Sequence, residues 1–370
     1  MNPKIINIDE IDNNYLRFTL KDVNVSVANS IRRIILSEIP VIVLRTSPYE
    51  QNKVKIITNT TRLNNEIIKQ RLSCIPVMIN DMTFPLDKYQ LEIDKKNNDD
   101  QIDFVTTNDF VILDIQTGNY LKESDVRKIF PVDNITRDPI DIVRLRPKIL
   151  NNFDGEHLKL IATFDIGTAK QDGAFNVVST CSYAMTPDNL IINKAWKKEK
   201  QKYKNEKLDP AIIEYKKQDW NLLESQRYYI ENSFDFIIET VGQYTNRELL
   251  QKSCEIMINK INNFKNNLQN DSSIIKESNT TIENSYDIIL KNECYTLGKA
   301  IEYMLYETYY IDEQNKLLTF CGFKKPHPLI DQSLIRVGFN EPTDISNLIE
   351  YFNKCCDKLI KIYTSISQQI

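Results

Sequence analysis

The 370-residue sequence has eight glycines, two histidines, seven cysteines and no long apolar run, and each scarcity removes a class of chemistry. The glycines stand at positions 118, 155, 167, 173, 242, 298, 322 and 338. No set of them has the spacing G-x-G-x-x-G or G-x-x-x-x-G-K-[ST], so the usual backbone cradles for dinucleotides and nucleoside triphosphates are missing. A G-x-S-x-G nucleophile elbow is missing too. With His157 and His327 as the sole histidines, neither a multi-histidine metal site nor an H-E-x-x-H helix can be built. The cysteines contain no C-x-x-C, and only Cys355 and Cys356 adjoin. Such an odd, scattered set suits reduced thiols better than a disulfide framework. Met1-Asn2-Pro3-Lys4 leads into Asp9, Glu10 and Asp12 without an apolar core, so no secretion signal is expected. The apolar stretch around Val41, Ile42, Val43 and Leu44 is far too short to span a bilayer.

What is present is a globular composition. The chain is 41% hydrophobic and 26% charged, enough for two or three cores rather than one. Its 47 basic and 51 acidic residues leave a net charge of −4. Bulk charge therefore gives no nucleic-acid footprint, and any such role must be local or indirect. Asn, Ile and Lys are abundant; all three have AT-rich codons, which hints at an AT-rich genome.

The first segment reads as strand, strand, helix. Ile5 to Ile8, and then Tyr15 to Leu20, alternate with period two around an Asp12-Asn13-Asn14 turn. From Asn24 to Glu38 the period becomes helical: Val27, Ile31, Ile34 and Ile35 share one face, and Asn29, Ser30, Arg32, Arg33 and Ser37 occupy the rest. Pro40 ends it. Residues 46 to 188 are mixed, with a short helix over Asn64 to Leu72 and strands at 89–93, 111–115, 159–164 and 177–185. Residues 194 to 217 interleave Lys194, Lys197, Lys198, Lys200, Lys202, Lys204 and Lys207 with Trp196 and Tyr203. That pattern fits a single-stranded nucleic-acid track or, more plainly, a solvated loop or frayed helix.

A strand over Phe234 to Thr240 precedes a capping box, Thr245-x-x-Glu248. Leu250, Cys254, Met257, Ile261, Phe264 and Leu268 then form a heptad-like seam that needs a partner helix. Residues 266 to 285 read as a polar linker. Beyond it the opening theme returns. Strands are expected at 286–290, 317–323 and 334–339, with a helical stripe of Leu297, Ala300, Ile301, Met304, Leu305 and Thr308 after the first. Last comes a long face of Ile345, Leu348, Ile349, Phe352, Cys356, Leu359, Ile360 and Tyr363.

Two α+β halves, each with an unmated helical stripe, predict mutual pairing. Helices 24–38 and 245–268 are expected to pack on helices 295–308 and 343–366, the pattern fitting pairing within one chain or between chains. The expected fold is α+β, a pseudo-symmetric dimer within one polypeptide whose first half carries a β-rich insert. The divisions are 1–46 with 190–268, the insert 47–189, a linker 269–285 and a last domain 286–370. The dimerisation core is expected to comprise Val27, Ile31, Ile34 and Ile35, then Leu250, Met257, Ile261 and Phe264. From the second half it takes Leu297, Ile301, Met304, Leu305, Leu348, Phe352 and Leu359.

These residues carry a family resemblance. Phe18-Thr19-Leu20 followed by Val27-Ala28-Asn29-Ser30-Ile31-Arg32-Arg33-Ile34-Ile35-Leu36-Ser37-Glu38-Ile39-Pro40 resembles the signature helix of the alpha-type assembly subunits of multisubunit RNA polymerases. That family includes the third-largest eukaryotic subunit, its archaeal D-type counterpart and the bacterial alpha amino-terminal domain. Glu66 to Val77 resembles its E-x-x-x-x-R-L-x-x-I-P segment, and Phe236 to Gly242 its F-x-x-E-S-x-G strand. The last 85 residues are similar to the smaller partner, which is the eleventh eukaryotic subunit or its archaeal L-type counterpart. There Tyr295-Thr296-Leu297-Gly298 matches H-T-L-G, and Gly322 to Leu329 matches Y-x-x-P-H-P-L. Both partners in one polypeptide resemble the fused subunit of nucleocytoplasmic large DNA viruses.

The resemblance implies a non-catalytic scaffold of a DNA-directed RNA polymerase that joins the largest and second-largest subunits, with the small polymerase subunits binding on it. It would meet DNA only through the complex and meet no membrane. For a viral protein it implies the host-cytoplasm viral factory and the virion. Asn29, Arg32 and Arg33 are the expected large-subunit contacts, since guanidinium forks grip carboxylates and backbone oxygens; a solvated helix face is the plain alternative. Glu66 and Arg71 fit either an internal salt bridge or a subunit contact. Many D-type family members hold zinc or an iron–sulfur cluster on cysteines in the insert, but residues 80–103 contain none, so no metal and no cofactor are expected. Tyr295 replaces the motif's histidine. Asn152-Phe153-Asp154-Gly155-Glu156 faintly resembles the magnesium-binding aspartate loop of the largest subunit but lacks its triple aspartate; a turn explains it better. His327, between two prolines, suits a turn. A stand-alone Ser or Cys hydrolase using His157 or His327, and an independent single-strand binder, are the competing classes.

Overall fold

A computed structural model describes residues 1–11, 15–148 and 154–370; the expected Asp12-Asn13-Asn14 turn and the pair Asn152 and Phe153 lie outside the described residues. The chain opens on β1 (Lys4–Ile11), β2 (Tyr15–Lys21), α1 (Val25–Ser37) and β3 (Val41–Val43). Asn24 starts α1 by accepting the Ser26 N–H on Oδ1 at 2.9 Å, the usual use of a short amide side chain at a helix start. Next come β4 (Val54–Asn59), α2 (Asn65–Ser73), β5 (Tyr89–Lys96), β6 (Asp103–Thr106), β7 (Val111–Asp114) and α3 (Glu123–Ile129). Then follow β8 (Asp141–Leu145), β9 (His157–Thr163), β10 (Asp165–Gly167) and β11 (Val178–Pro187). The helical pair α4 (Asn189–Asn205) and α5 (Pro210–Leu222) leads to β12 (Tyr229–Thr240) and the long α6 (Asn246–Asn270). The chain closes with β13 (Ile275–Glu277), β14 (Ser285–Lys291), α7 (Tyr295–Tyr306), β15 (Leu318–Lys324), β16 (Gln332–Phe339) and α8 (Ile345–Ser367).

These elements form two compact units: residues 1–34, 180–239 and 246–370 make the first, and 35–179 with 240–245 the second. The first unit holds two four-stranded sheets, ordered β1-β2-β12-β11 and β13-β14-β16-β15. In the former, β2 and β12 run antiparallel with Phe18 opposite Phe236, and their rings stack at 5.0 Å. In the latter, Asp287 faces Arg336 across β14 and β16 in a two-pronged ion pair of 2.6 and 2.7 Å.

Helix packing gives this unit its core. Helix α6 packs along α8, and α7 packs on α8 as well. Every residue of the α6 seam, Leu250, Cys254, Met257, Ile261, Phe264 and Leu268, is buried, and the Phe264 and Phe352 rings lie 6.2 Å apart. Helix α1 reaches α8 through a hydrogen bond of 2.6 Å between the Ser30 and Tyr363 hydroxyls, both side chains being buried. A Lys265–Asp357 ion pair of 2.5 Å joins α6 to α8 at the rim.

The second unit is built on the sheet β4-β9-β5-β7, with the two-stranded pairs β6-β8 and β10-β3. Its core includes Leu91, Ile93, Ile112, Leu158 and Leu160 from the sheet and Ile68 and Leu72 from α2. Arg45 forms an ion pair with Asp165 and donates to the Ile166 carbonyl oxygen at 2.6 Å, so the buried cation is paired, as its burial requires.

Four local readings change. The lysine-rich run is neither loop nor frayed end: Asp188 caps α4, Asp209 caps α5 with Pro210 in the first turn, and Trp196, Ile213 and Trp220 form the seam between them. The linker stretch holds buried Ile274 and Ile275, and Ile275 pairs with Ile288 as part of β13. The stripe expected to reach Thr308 ends at Tyr306, where the helix widens into a π turn over Glu307–Ile311. On α8 the buried face takes in Cys355 as well as Cys356 and extends to Ile366, while Ile345 is exposed; over this length the 3.6-residue period brings both cysteines inward.

Candidate functional site

The residues expected to contact partners fall in both units. In the first unit, Asn29, Arg32 and Arg33 project from the α1 surface and are half-buried, whereas Val27, Ile31 and Ile34 point into the core. Asn29 Oδ1 accepts from Arg32 Nη2 at 2.8 Å and from Nε at 3.2 Å. One turn of helix thus holds the guanidinium plane in one orientation, the planar fork being pre-organised for hydrogen bonding. Arg33 has a different address. Its Nε donates to the Thr296 hydroxyl at 2.9 Å, and its Nη2 lies 3.5 Å from Cys294 Sγ. Arg33 therefore links α1 to the start of α7.

That start is where Tyr295-Thr296-Leu297-Gly298 falls. Burial acts to raise the Cys294 thiol's pKa, but hydrogen bonds with Thr296 and the neighbouring Arg33 cation outweigh it and hold the thiol below its ordinary value. The motif's glycine has a packing cause: a Cβ on Gly298 would stand 2.0 Å from the Phe323 ring. Tyr295, which replaces histidine, packs edge-on to the same ring at 5.1 Å. Sequence reasoning missed Thr296 and Tyr363 as partners of α1. The former lay inside the matched motif, and the latter stood on the α8 stripe as a polar tip among apolar neighbours.

In the second unit Glu66 and Arg71 are exposed on α2. No ion pair joins them among the described residues; Arg71 donates to the Asp141 carbonyl oxygen at 3.2 Å.

Among the described residues both histidines have other partners. His157 Nε2 pairs with Asp94 at 2.7 Å, and Asp94 also takes Lys159 at 2.6 Å; Lys159 and then His157 hold its carboxyl below the usual range. His327 Nδ1 accepts the Leu329 N–H at 3.1 Å, closing a turn. Among the described residues neither imidazole hydrogen-bonds a serine or cysteine side chain. Burial pushes the thiols of Cys181, Cys254 and Cys355 up to about 12, which suits core filler rather than nucleophiles. Trp196 is buried against Trp220 with ring centroids 5.4 Å apart, so it has no free face on which to stack a base. Among the described residues no group of three or more His, Cys, Asp or Glu side chains is placed to hold a metal ion, and no helix is long and apolar enough to cross a membrane.

Two four-stranded sheets and the long helices α6 and α8, packed along one another, make a mixed helix-and-sheet unit of recognisable class. Comparison with known proteins gives the class its family. Residues 17–261 match the RNA polymerase Rpb3/Rpb11 dimerisation domain, and residues 285–369 match a second family of the same description. The chain belongs to the Rpb3/Rpb11 dimerisation-domain family and carries that domain twice. Over 280 residues it is 22% identical to the DNA-directed RNA polymerase subunit Rpo3 of Archaeoglobus fulgidus, covering 70% of this chain and 96% of the relative. Over 306 residues it is 24% identical to the DNA-directed RNA polymerases I and III subunit RPAC1 of Saccharomyces cerevisiae, covering 70% and 86%. Over 204 residues it is 28% identical to the DNA-directed RNA polymerases IV and V subunit 3B of Arabidopsis thaliana, where the match covers 51% of this chain and spans 58% of that relative's length.

Proposed function

We propose that this chain is a non-catalytic assembly subunit of a multisubunit DNA-directed RNA polymerase, on which the largest and second-largest subunits join. The observation that carries the reading is the α6 seam buried along α8, between segments that match the dimerisation domain separately. On this reading the two domains pair as a pseudo-symmetric heterodimer within one polypeptide, and the β-rich second unit is an insert in the first domain. The apolar residues of α1, α6, α7 and α8 named above are its dimerisation core. Asn29 and Arg32 offer the first unit's contact to a large subunit. Arg33, which also bonds Thr296, is the third residue of that contact. Glu66 and Arg71 offer a contact from the second unit. The small polymerase subunits bind on the assembled pair, and DNA is met only through the complex. The two domains in one chain, with the abundance of Asn, Ile and Lys, support a nucleocytoplasmic large DNA virus as the source, with the viral factory and virion as the places of action.

Charge reversal tests the α1 contact. Arg32→Glu is expected to leave the melting temperature of the isolated chain nearly unchanged, because the side chain is half-exposed, while co-purification with the second-largest subunit falls at least about tenfold. Full co-purification of that variant would remove Arg32 from the interface.

A further inference from the structure

The second unit carries a groove of about 600 Å³ whose lining is unusual for an acidic chain. Arg62 and Arg71 come from α2 and the turn before it, and Arg144 and Arg146 come from β8 and the residue following it. Ile102 and Phe104 line it as well and are 57% and 39% exposed. Two carboxylates border it, Asp141 and Glu156. Arg146 is engaged with buried Glu156 at 2.5 Å, and Arg71 leans on the Asp141 backbone carbonyl at 3.2 Å. Arg62 and Arg144 have no carboxylate partner among the described residues. Arg144 stands opposite Phe104 in the β6–β8 ladder, with its guanidinium carbon 5.9 Å from the ring centre. Stacking of that kind flattens the fork over an apolar surface and leaves its edge N–H groups open.

An unneutralised pair of guanidinium forks beside exposed apolar side chains calls for an anionic ligand with an apolar element. We propose that this groove binds an acidic, extended segment of a partner protein. Its carboxylates meet Arg62 and Arg144, and one of its apolar side chains rests on Phe104 and Ile102. Charge complementarity selects the class. A continuous polyanion such as a nucleic-acid strand would have to pass the Asp141 carboxylate on the rim. A peptide can place its acids only where the guanidinium groups stand. The inference deepens the assembly reading, on which it rests for the partner being another polymerase subunit.

The test uses the full chain and a short fluorescein-labelled peptide of alternating Glu and Leu, with a Lys-Leu peptide and an oligothymidylate as the other probes. Fluorescence anisotropy should show saturable binding of the Glu-Leu peptide, weakened by salt, and none of the Lys-Leu peptide. Arg62→Ala with Arg144→Ala should weaken the Glu-Leu peptide at least about tenfold, since each charge-assisted bond lost is worth about that factor. Phe104→Ala alone should weaken it too, with the melting temperature of the chain little changed. Equal peptide binding by the double variant, or tighter binding of the oligothymidylate that the same variant abolishes, would overturn the proposal. The groove stands or falls on peptide binding, whereas the assembly reading stands or falls on co-purification with polymerase subunits, so the two failures are distinct.

Discussion

At the scale of single residues the molecule uses polar groups as joints and glycine as clearance. Ser30 Oγ stands 2.7 Å from the Val27 carbonyl oxygen, to which it can donate, and 2.6 Å from the Tyr363 hydroxyl. Burial pushes the Tyr363 phenol well above its ordinary pKa, so the group stays neutral as a hydrogen-bonding partner at any physiological pH. Tyr363→Phe should cost about 0.5–1.5 kcal/mol, because the buried Ser30 hydroxyl loses one of its two partners; urea titration measures it, and no change would mean that the joint contributes nothing. Gly298→Ala puts a methyl against the Phe323 ring and should destabilise by about 1–3 kcal/mol, as overpacking does. Asp287 gives a pH signature. Hydrogen bonding to Arg336 dominates and, against burial and with help from Ser278, holds its carboxyl below the ordinary value. A depressed carboxyl pKa adds stability above the unfolded value and loses it as pH falls through the folded one. Acid unfolding of the wild type should therefore steepen below about pH 4, and Asp287→Asn should flatten that limb, at a cost near neutrality of roughly 1 kcal/mol.

Elements carry the architecture, and here the sequence was most legible. The α6 seam and the α1 stripe were readable because buried helical faces repeat with a fixed period, and each residue named for them is buried. The pair α4 and α5 was hidden for the opposite reason. Its seam rests on three buried side chains, Trp196, Ile213 and Trp220, within a run whose charges dominate any window. The short strands β3, β6, β8, β10 and β13 were hidden because runs of three to five residues carry little periodic signal, although β7, equally short, was legible. Arg33 was legible as part of a motif but not as a joint, since its partner Thr296 is distant in sequence. The helix pairing has its own test. Met257→Asp with Ile261→Asp buries two carboxylates in the seam against α8 and should expose residues 285–370 to protease or unfold them; unchanged protease resistance of both domains would contradict the packing.

At the scale of the whole molecule, one polypeptide holds two copies of a dimerisation domain; pairing within it, as proposed, would not depend on concentration. Few glycines and a mild −4 charge suit the proposed role of presenting packed helices and strands to larger partners. Central to the proposed function is that a single copy supplies both members of the pair. Co-expression of the full chain with the two largest polymerase subunits, followed by native mass spectrometry of the purified complex, tests it directly. The predicted result is one copy of this chain for each copy of the two large subunits, with no separate smaller partner. A complex containing two copies of the chain, or large subunits that assemble without it, would contradict the account.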